Sequence, residues 1–193
     1  MIHKHHEDAE QVASEAPDSN QLKEEEWIFR RAVREDVSSL LGLLVLCYAE
    51  FPEGCIDPQG TCASVLRNAG GIYETGGAIW VAQHRTNRID GCFFLDYPNP
   101  DLAVIRFFLV QPDLVKTQSE LLCNLAHYAT SKAQELGGRD VGLWHDDRFI
   151  DTISLFQELG YRPTGARRTL GDVSGTTETY YARSLWYQPE PIV

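Results

Sequence analysis

The segment Leu102–Val110, LAVIRFFLV, holds one charged residue in an otherwise apolar run of nine. A strand that packs on one side only alternates apolar and polar residues, whereas a strand buried on both faces does not. This segment therefore sits at the centre of a sheet with helices above and below, and Pro112-Asp113 closes it. Two strands precede it, Ala78–His84 and Ile89–Tyr97, joined across Arg85-Thr86-Asn87, and Pro98-Asn99-Pro100 ends the second.

The remaining elements follow from spacing. Trp27–Val33 reads as a first strand. Val37, Leu40, Leu41, Leu44, Cys47 and Tyr48 then recur at helical intervals, and Phe51-Pro52-Glu53-Gly54 stops that helix. Pro58–Asn68 is a weaker second helix, and Gly70-Gly71 and Gly76-Gly77 bracket a loop. The pattern predicts one long helix over Thr117–Leu136, with Leu121, Leu122, Leu125, Ala129, Ala133 and Leu136 inward and Gly137-Gly138 as its stop. Val141–His145 is a strand. Phe149–Leu159 is a helix built on Phe149, Ile153 and Phe156 and ended by Gly160. Tyr161–Leu170 and Thr177–Trp186 form a final hairpin across Gly171-Asp172-Val173-Ser174-Gly175. The fold class is α/β: a mixed central sheet with helices on both faces, without internal repeats.

The 193 residues suit one domain with an appended arm. Residues 1–26 contain two Lys and eight Asp or Glu and no aromatic, a net −6 of the chain's −11, which leaves −5 for the rest. They read as an acidic arm, disordered or ordered by a partner. Residues 27–187 form the domain and 188–193 a short tail. This acidity argues against a nucleic-acid partner, because phosphate contacts need clustered cations. The longest apolar run, Leu40–Ala49, is too short to span a bilayer, so no membrane partner is expected. Cys47, Cys55, Cys62, Cys92 and Cys123 include no Cys-x-x-Cys pair. They fit free thiols in a reducing, cytoplasmic setting, and no metal site is expected; His3, His5 and His6 read as an incidental cluster. Tyr180, Tyr181, Trp186 and Tyr187 could divide between core and an interface with a protein partner or a second copy.

Three local patterns resemble the GNAT N-acetyltransferase superfamily. Arg30-Arg31-Ala32 followed by Arg34-Glu35-Asp36-Val37 and a Leu-rich helix looks like the family's first strand and helix. Val110-Gln111-Pro112 stands between an apolar strand and a long helix, where the family places its acetyl-CoA loop. Ile153-Ser154-Leu155-Phe156-Gln157-Glu158-Leu159-Gly160-Tyr161 is similar to the family's late helix, which ends in Leu-Gly-Phe or Leu-Gly-Tyr. The resemblance covers Trp27 to about Trp186. It implies the acyl-CoA N-acyltransferase fold, with acyl-CoA lodged where Leu102–Val110 and Val141–His145 splay apart.

It also implies which residues meet the donor: Leu109, Val110, Lys116, Thr117, Gln118, Ser119 and Glu120. The family's loop carries Arg or Gln and two glycines, which let backbone amides at a helix N-terminus cradle a pyrophosphate. Those positions hold Val115, Gln118 and Glu120, and no glycine lies between Gly91 and Gly137. Thr117-Gln118-Ser119-Glu120 instead has the form of a capping box, which would satisfy those amides internally. The catalytic Tyr of many members matches Phe156, which has no proton to give, and their Asn matches Phe149. Arg106 is the sole charged residue of the central strand. His145, with Asp146 and Asp147, is the remaining candidate base. His84 and His127 read as surface residues, and Cys92 and Cys123 as core.

Two functional expectations follow. One is a degenerate relative acting through protein contacts, as a component of a larger assembly and without a cofactor. The other is an active N-acyltransferase that takes acetyl-CoA or another acyl-CoA through an atypical loop.

Overall fold

The computed structural model describes residues 26–49, 72, 74, 76–169 and 177–185. The chain runs β1 (Trp27–Arg31), a 3-10 turn (Arg34–Asp36), α1 (Val37–Ala49), β2 (Ala78–His84), β3 (Ile89–Asn99) and β4 (Leu102–Val110). It continues through α2 (Pro112–Thr117), α3 (Ser119–Glu135), β5 (Asp140–Asp146), α4 (Ile150–Glu158), β6 (Arg162–Thr169) and β7 (Thr177–Ser184). Residues 1–25 of the expected acidic arm, the helix over 58–68, the 171–175 turn, Trp186, Tyr187, Cys55 and Cys62 lie outside the described residues.

One seven-stranded sheet has the order β1-β2-β3-β4-β5-β7-β6. All neighbours are antiparallel except β4 and β5. Two apolar clusters sandwich it. Phe93, Leu95, Ile105, Leu121, Leu125, Leu143 and Phe156 form the core beneath α3 and α4. Leu43, Leu44, Ile79, Val81, Cys92, Phe94 and Leu109 form the core beneath α1. Successive residues of β3 and β4 feed opposite clusters, which is why LAVIRFFLV is apolar without alternation.

The junction from β1 to α1 is held by one carboxylate. Asp36 accepts two hydrogen bonds from the Arg30 guanidinium, at 2.7 and 2.8 Å, and one from the Val33 amide at 2.8 Å. The Arg30 contacts hold its carboxyl below the usual Asp range. This explains the Arg30…Asp36 pattern as a folding device.

Four expectations need correction. The long helix is two: α2 and α3 meet at Gln118, whose φ of −139° breaks the helical path. Proline fits a helix's first turn, so Pro112 starts α2 where it had read only as a stop. Leu136 falls past the end of α3 and is exposed. Strand β3 runs to Asn99, because Pro98 sits in an irregular stretch of the ladder where no amide is demanded of it.

Candidate active site

The site begins with a fault in β4. Cys92 faces Leu109 and Phe94 faces Arg106, so Phe107 and Phe108 together oppose Phe93: a β-bulge. Phe107 has φ +47°, a left-handed conformation that costs a non-glycine residue about 1–3 kcal/mol. The bulge changes the side to which residues point. Phe107 packs on the α1-side cluster and Phe108 in the α3/α4-side core, while Ile105 holds Arg106 to the α1 side by alternation. The parallel β4–β5 ladder spans only Leu102–Ile105 against Asp140–Leu143, and the strands then part.

A cleft of about 350 Å³ occupies the gap. Phe108, Leu109 and Val110 line it from β4, Val115 and Lys116 from α2, and Arg148 and Phe149 from the β5–α4 connection, with Cys47 from α1. The Cys47 thiol donates to the Val110 carbonyl at 3.4 Å. Of the sequence-predicted donor residues, Leu109, Val110 and Lys116 line this cleft; Thr117, Gln118, Ser119 and Glu120 are not among its lining.

The expected capping box does not form. The Thr117 hydroxyl donates to the Asp113 carbonyl at 2.7 Å, inside α2, and Gln118 caps α3 without a side-chain hydrogen bond. The reason is positional: Thr117 is the last residue of a helix, so its side chain turns back on the preceding turn. The replacement for a phosphate loop is thus α2 itself. Amides of Val115 and Gln118 already donate to the Gln111 and Leu114 carbonyls. Among the described residues, the first turn of α3 keeps no such partner for Ser119 or Glu120, and the buried Gln118 Oε1 has no hydrogen bond.

Across the gap the β5–α4 connection is tightly built. Asp146 accepts from Arg148 through the backbone amide at 3.0 Å, Nε at 2.9 Å and Nη2 at 2.6 Å. The guanidinium lies 5.7 Å from the Tyr48 ring, which meets Phe149 edge-on at 5.4 Å. Burial, with Asp146 and Glu178 nearby, pushes the Tyr48 hydroxyl well up. His145 is 4% exposed. Its Nδ1–H donates to the Asp146 carbonyl at 2.9 Å, which leaves Nε2 as an acceptor without a partner among the described residues, beside the Phe149 and Phe156 rings. Burial lowers its pKa, and it is absent from the cleft lining. Phe156 is fully buried, edge-on to Phe108 at 4.9 Å and Tyr161 at 5.0 Å. His84, expected at the surface, is partly buried and bonds Thr86 at 2.8 Å and Glu26 at 3.1 Å. Cys123 packs against the core while remaining partly exposed.

The α1 side of the sheet carries polar groups that sequence reasoning did not assemble. Arg106 pairs with Asp96 at 3.0 Å. The Trp144 and Tyr180 rings meet at 4.9 Å, tilted by 42°, and Arg168 lies 4.4 Å over the Trp144 ring while pairing with Glu178. Gly142 makes room for this pair, since a Cβ there would meet the Tyr180 ring at 2.5 Å. Burial raises the Glu178 carboxyl above its ordinary range, with Arg168 opposing. A signal was present: in Thr177-Glu178-Thr179-Tyr180-Tyr181 the alternation sends Tyr181 to the core and Glu178 with Tyr180 to the other face.

No protein-family model matches the sequence, and no curated protein matches it. Solved structures do. An acetyltransferase from Streptococcus agalactiae superposes with a TM-score of 0.67 at 12% identity, covering 83% of this chain and 99% of that one. A GNAT superfamily phosphinothricin acetyltransferase from Sinorhizobium meliloti, solved in complex with AcCoA, gives 0.62 at 15%, covering 87% and 95%. A ribosomal-protein-alanine N-acetyltransferase from Brucella melitensis gives 0.59 at 13%, covering 82% and 99%. The chain has the fold of the GNAT acetyltransferases.

Proposed function

With that fold as premise, we propose that this protein is an N-acyltransferase that grips an acyl thioester by its pantetheine arm rather than by its pyrophosphate. The observation that carries this is the retained gap: the Phe107 bulge and the short β4–β5 ladder leave a largely apolar cleft with Lys116 and Arg148 on its walls. The residues fit one half of the donor and not the other. Phe108, Leu109, Val110 and Phe149 offer an apolar slot to an extended arm, and Lys116 can meet a phosphate as a point charge. The β4–α3 connection offers only part of a pyrophosphate cradle: α2 consumes the amides of Val115 and Gln118, which leaves those of Ser119 and Glu120. When bound, the thioester supplies an activated carbonyl. The chain supplies the dry slot that aligns it and the polar α1 side from which an amine approaches.

A second reading, a non-catalytic protein acting through protein contacts, draws support from Phe156. It occupies the resemblance's acid position as a fully buried packing residue. One titration separates them. Thermal stability is measured with acetyl-CoA and with acetyl-pantetheine. At 100 times its dissociation constant a ligand adds about 2.7 kcal/mol, a rise of roughly 5–10 °C for a chain of this size. The expected result is a rise with both, at dissociation constants within about tenfold of each other. No rise with either sinks the donor reading and favours the contact reading. A rise with acetyl-CoA alone overturns the arm-held mode.

A further inference from the structure

We infer that Glu178 is the general base that takes the proton from the acceptor amine on the α1 side of the β4–β5 gap. This rests on the donor reading above. Amine attack on a thioester needs a neutral nitrogen, and β4 offers only Arg106, which cannot accept a proton. His145 is turned to the α4 side and enclosed. Five carboxylates stand near the parted strand ends: Asp96, Asp146, Asp147, Glu178 and Asp151, which lines the cleft but is exposed to solvent.

Three of them are committed, Asp147 by its pairing with Arg167 at 2.6 Å. Asp96 neutralises Arg106, and Asp146 is clasped by the amide and guanidinium of Arg148. Glu178 differs. Both contacts from Arg168, through Nε and Nη2, fall on Oε2. Among the described residues, no hydrogen bond reaches Oε1, and it is not among the enclosed orphan atoms. The side chain is only 12% exposed, so that oxygen stands in a largely dry setting. In the ladder Glu178 stands opposite Asp146, at the level where β5 has already left β4. The charged and titratable groups facing it are Arg168 from β6, Asp146 from β5, Arg106 from β4 and Tyr48 from α1. Arg168 holds it ionised while burial and Asp146 favour its protonation, a balance suited to a base.

The step balances without a co-reactant. Glu178 Oε1 takes one proton from the ammonium. The freed nitrogen forms the N–C bond to the thioester carbonyl as the C–S bond breaks. The second N–H proton of that nitrogen passes to solvent, and the departing thiolate takes a proton from solvent, since Phe156 has none to give.

The test uses the full chain with acetyl-CoA and a panel of primary amines: amino acids, polyamines and a lysine peptide. Wild type and Glu178→Gln are compared for donor-induced thermal shift and for acetylation rate against pH. The expected result is an unchanged donor shift, a fall of about 100-fold or more in kcat/KM, and loss of the acidic limb of the pH profile. Glu178→Asp is expected to restore the limb at reduced rate. An equal rate and unchanged limb in Glu178→Gln overturn the assignment while leaving the donor reading intact, as does donor binding by wild type with no amine acetylated at any pH. No donor shift in wild type fails the donor reading and this inference together. A readout free of turnover is the ¹³C carboxyl resonance that Glu178→Gln removes. It is expected to titrate above the ordinary glutamate range, and titration within that range also overturns the proposal.

Discussion

The two connections that flank the gap have opposite constructions. The β5–α4 corner is packed inward: His145 and Asp146 are buried, Asp146 holds Arg148 three ways, and Phe156 is wholly enclosed. The β4–α3 corner lies outward: α2 has no buried residue, and Gln118 caps α3 with no side-chain bond. The gap between them owes its shape to neither corner. It is opened by the bulge at Phe107, inside the sheet. A change that rewrites the loop chemistry on one side can therefore leave the cleft standing, which is the state seen here.

The comparison predicts an asymmetry in stability. Phe156→Ala removes a fully buried ring from contact with Phe108 and Tyr161 and is expected to cost about 3–5 kcal/mol. Val115→Ala, at a half-buried site on α2, is expected to cost about 1 kcal/mol or less. Urea midpoints at constant m measure both. Equal losses would show that α2 is as much a part of the core as α4, and the contrast between the corners would fail.

Legibility followed the same divide. Strand β4 was readable to its end residues, since burial on both faces writes itself as an unbroken apolar run. The α4 segment was readable because Ile153, Phe156 and Gly160 fall where an amphipathic helix and its stop require them; Gly160 takes φ +92°. Around Thr117 the pattern misled. Thr-x-x-Glu is a start signal only when the Thr precedes the helix, and here it closes one, which no local spacing reveals. The bulge was invisible for a different reason: its left-handed position carries Phe107, not the Gly or Asn that would mark it. Glu178, Arg168, Arg106 and Asp96 come from four strands, and their grouping needs the β4-β5-β7-β6 order, which a single sequence leaves open.

The buried corner should also be the one that senses pH. His145 has a reference pKa of 6.5, lowered in the fold by burial. As pH falls through 6.5 the unfolded chain gains a proton there and the folded chain does not, so stability falls. The loss runs until the folded value is reached, at up to about 1.4 kcal/mol per pH unit. His145→Asn keeps a donor near the Asp146 carbonyl without the titration. Its stability relative to wild type is expected to improve steadily from pH 7.5 to 5.5. A constant difference would mean that the ring is protonated as readily in the fold as outside it.

The smallest effect tests the open corner. Gln118→Asp places a short acceptor at the cap of α3, where the amides of Ser119 and Glu120 lack partners among the described residues, and removes a buried Oε1 that likewise has none there. The gain expected is about 1 kcal/mol, read as a shift in urea midpoint. The same change asks whether α3 takes part in donor binding. A carboxylate bonded to those amides competes with any phosphate for them, and its charge opposes a second anion. If the donor is held by its arm in the cleft, affinity for acetyl-CoA stays within about twofold while stability rises. A tenfold loss of affinity, about 1.4 kcal/mol, would place a phosphate at the start of α3 and give the outward corner a role that its open build conceals.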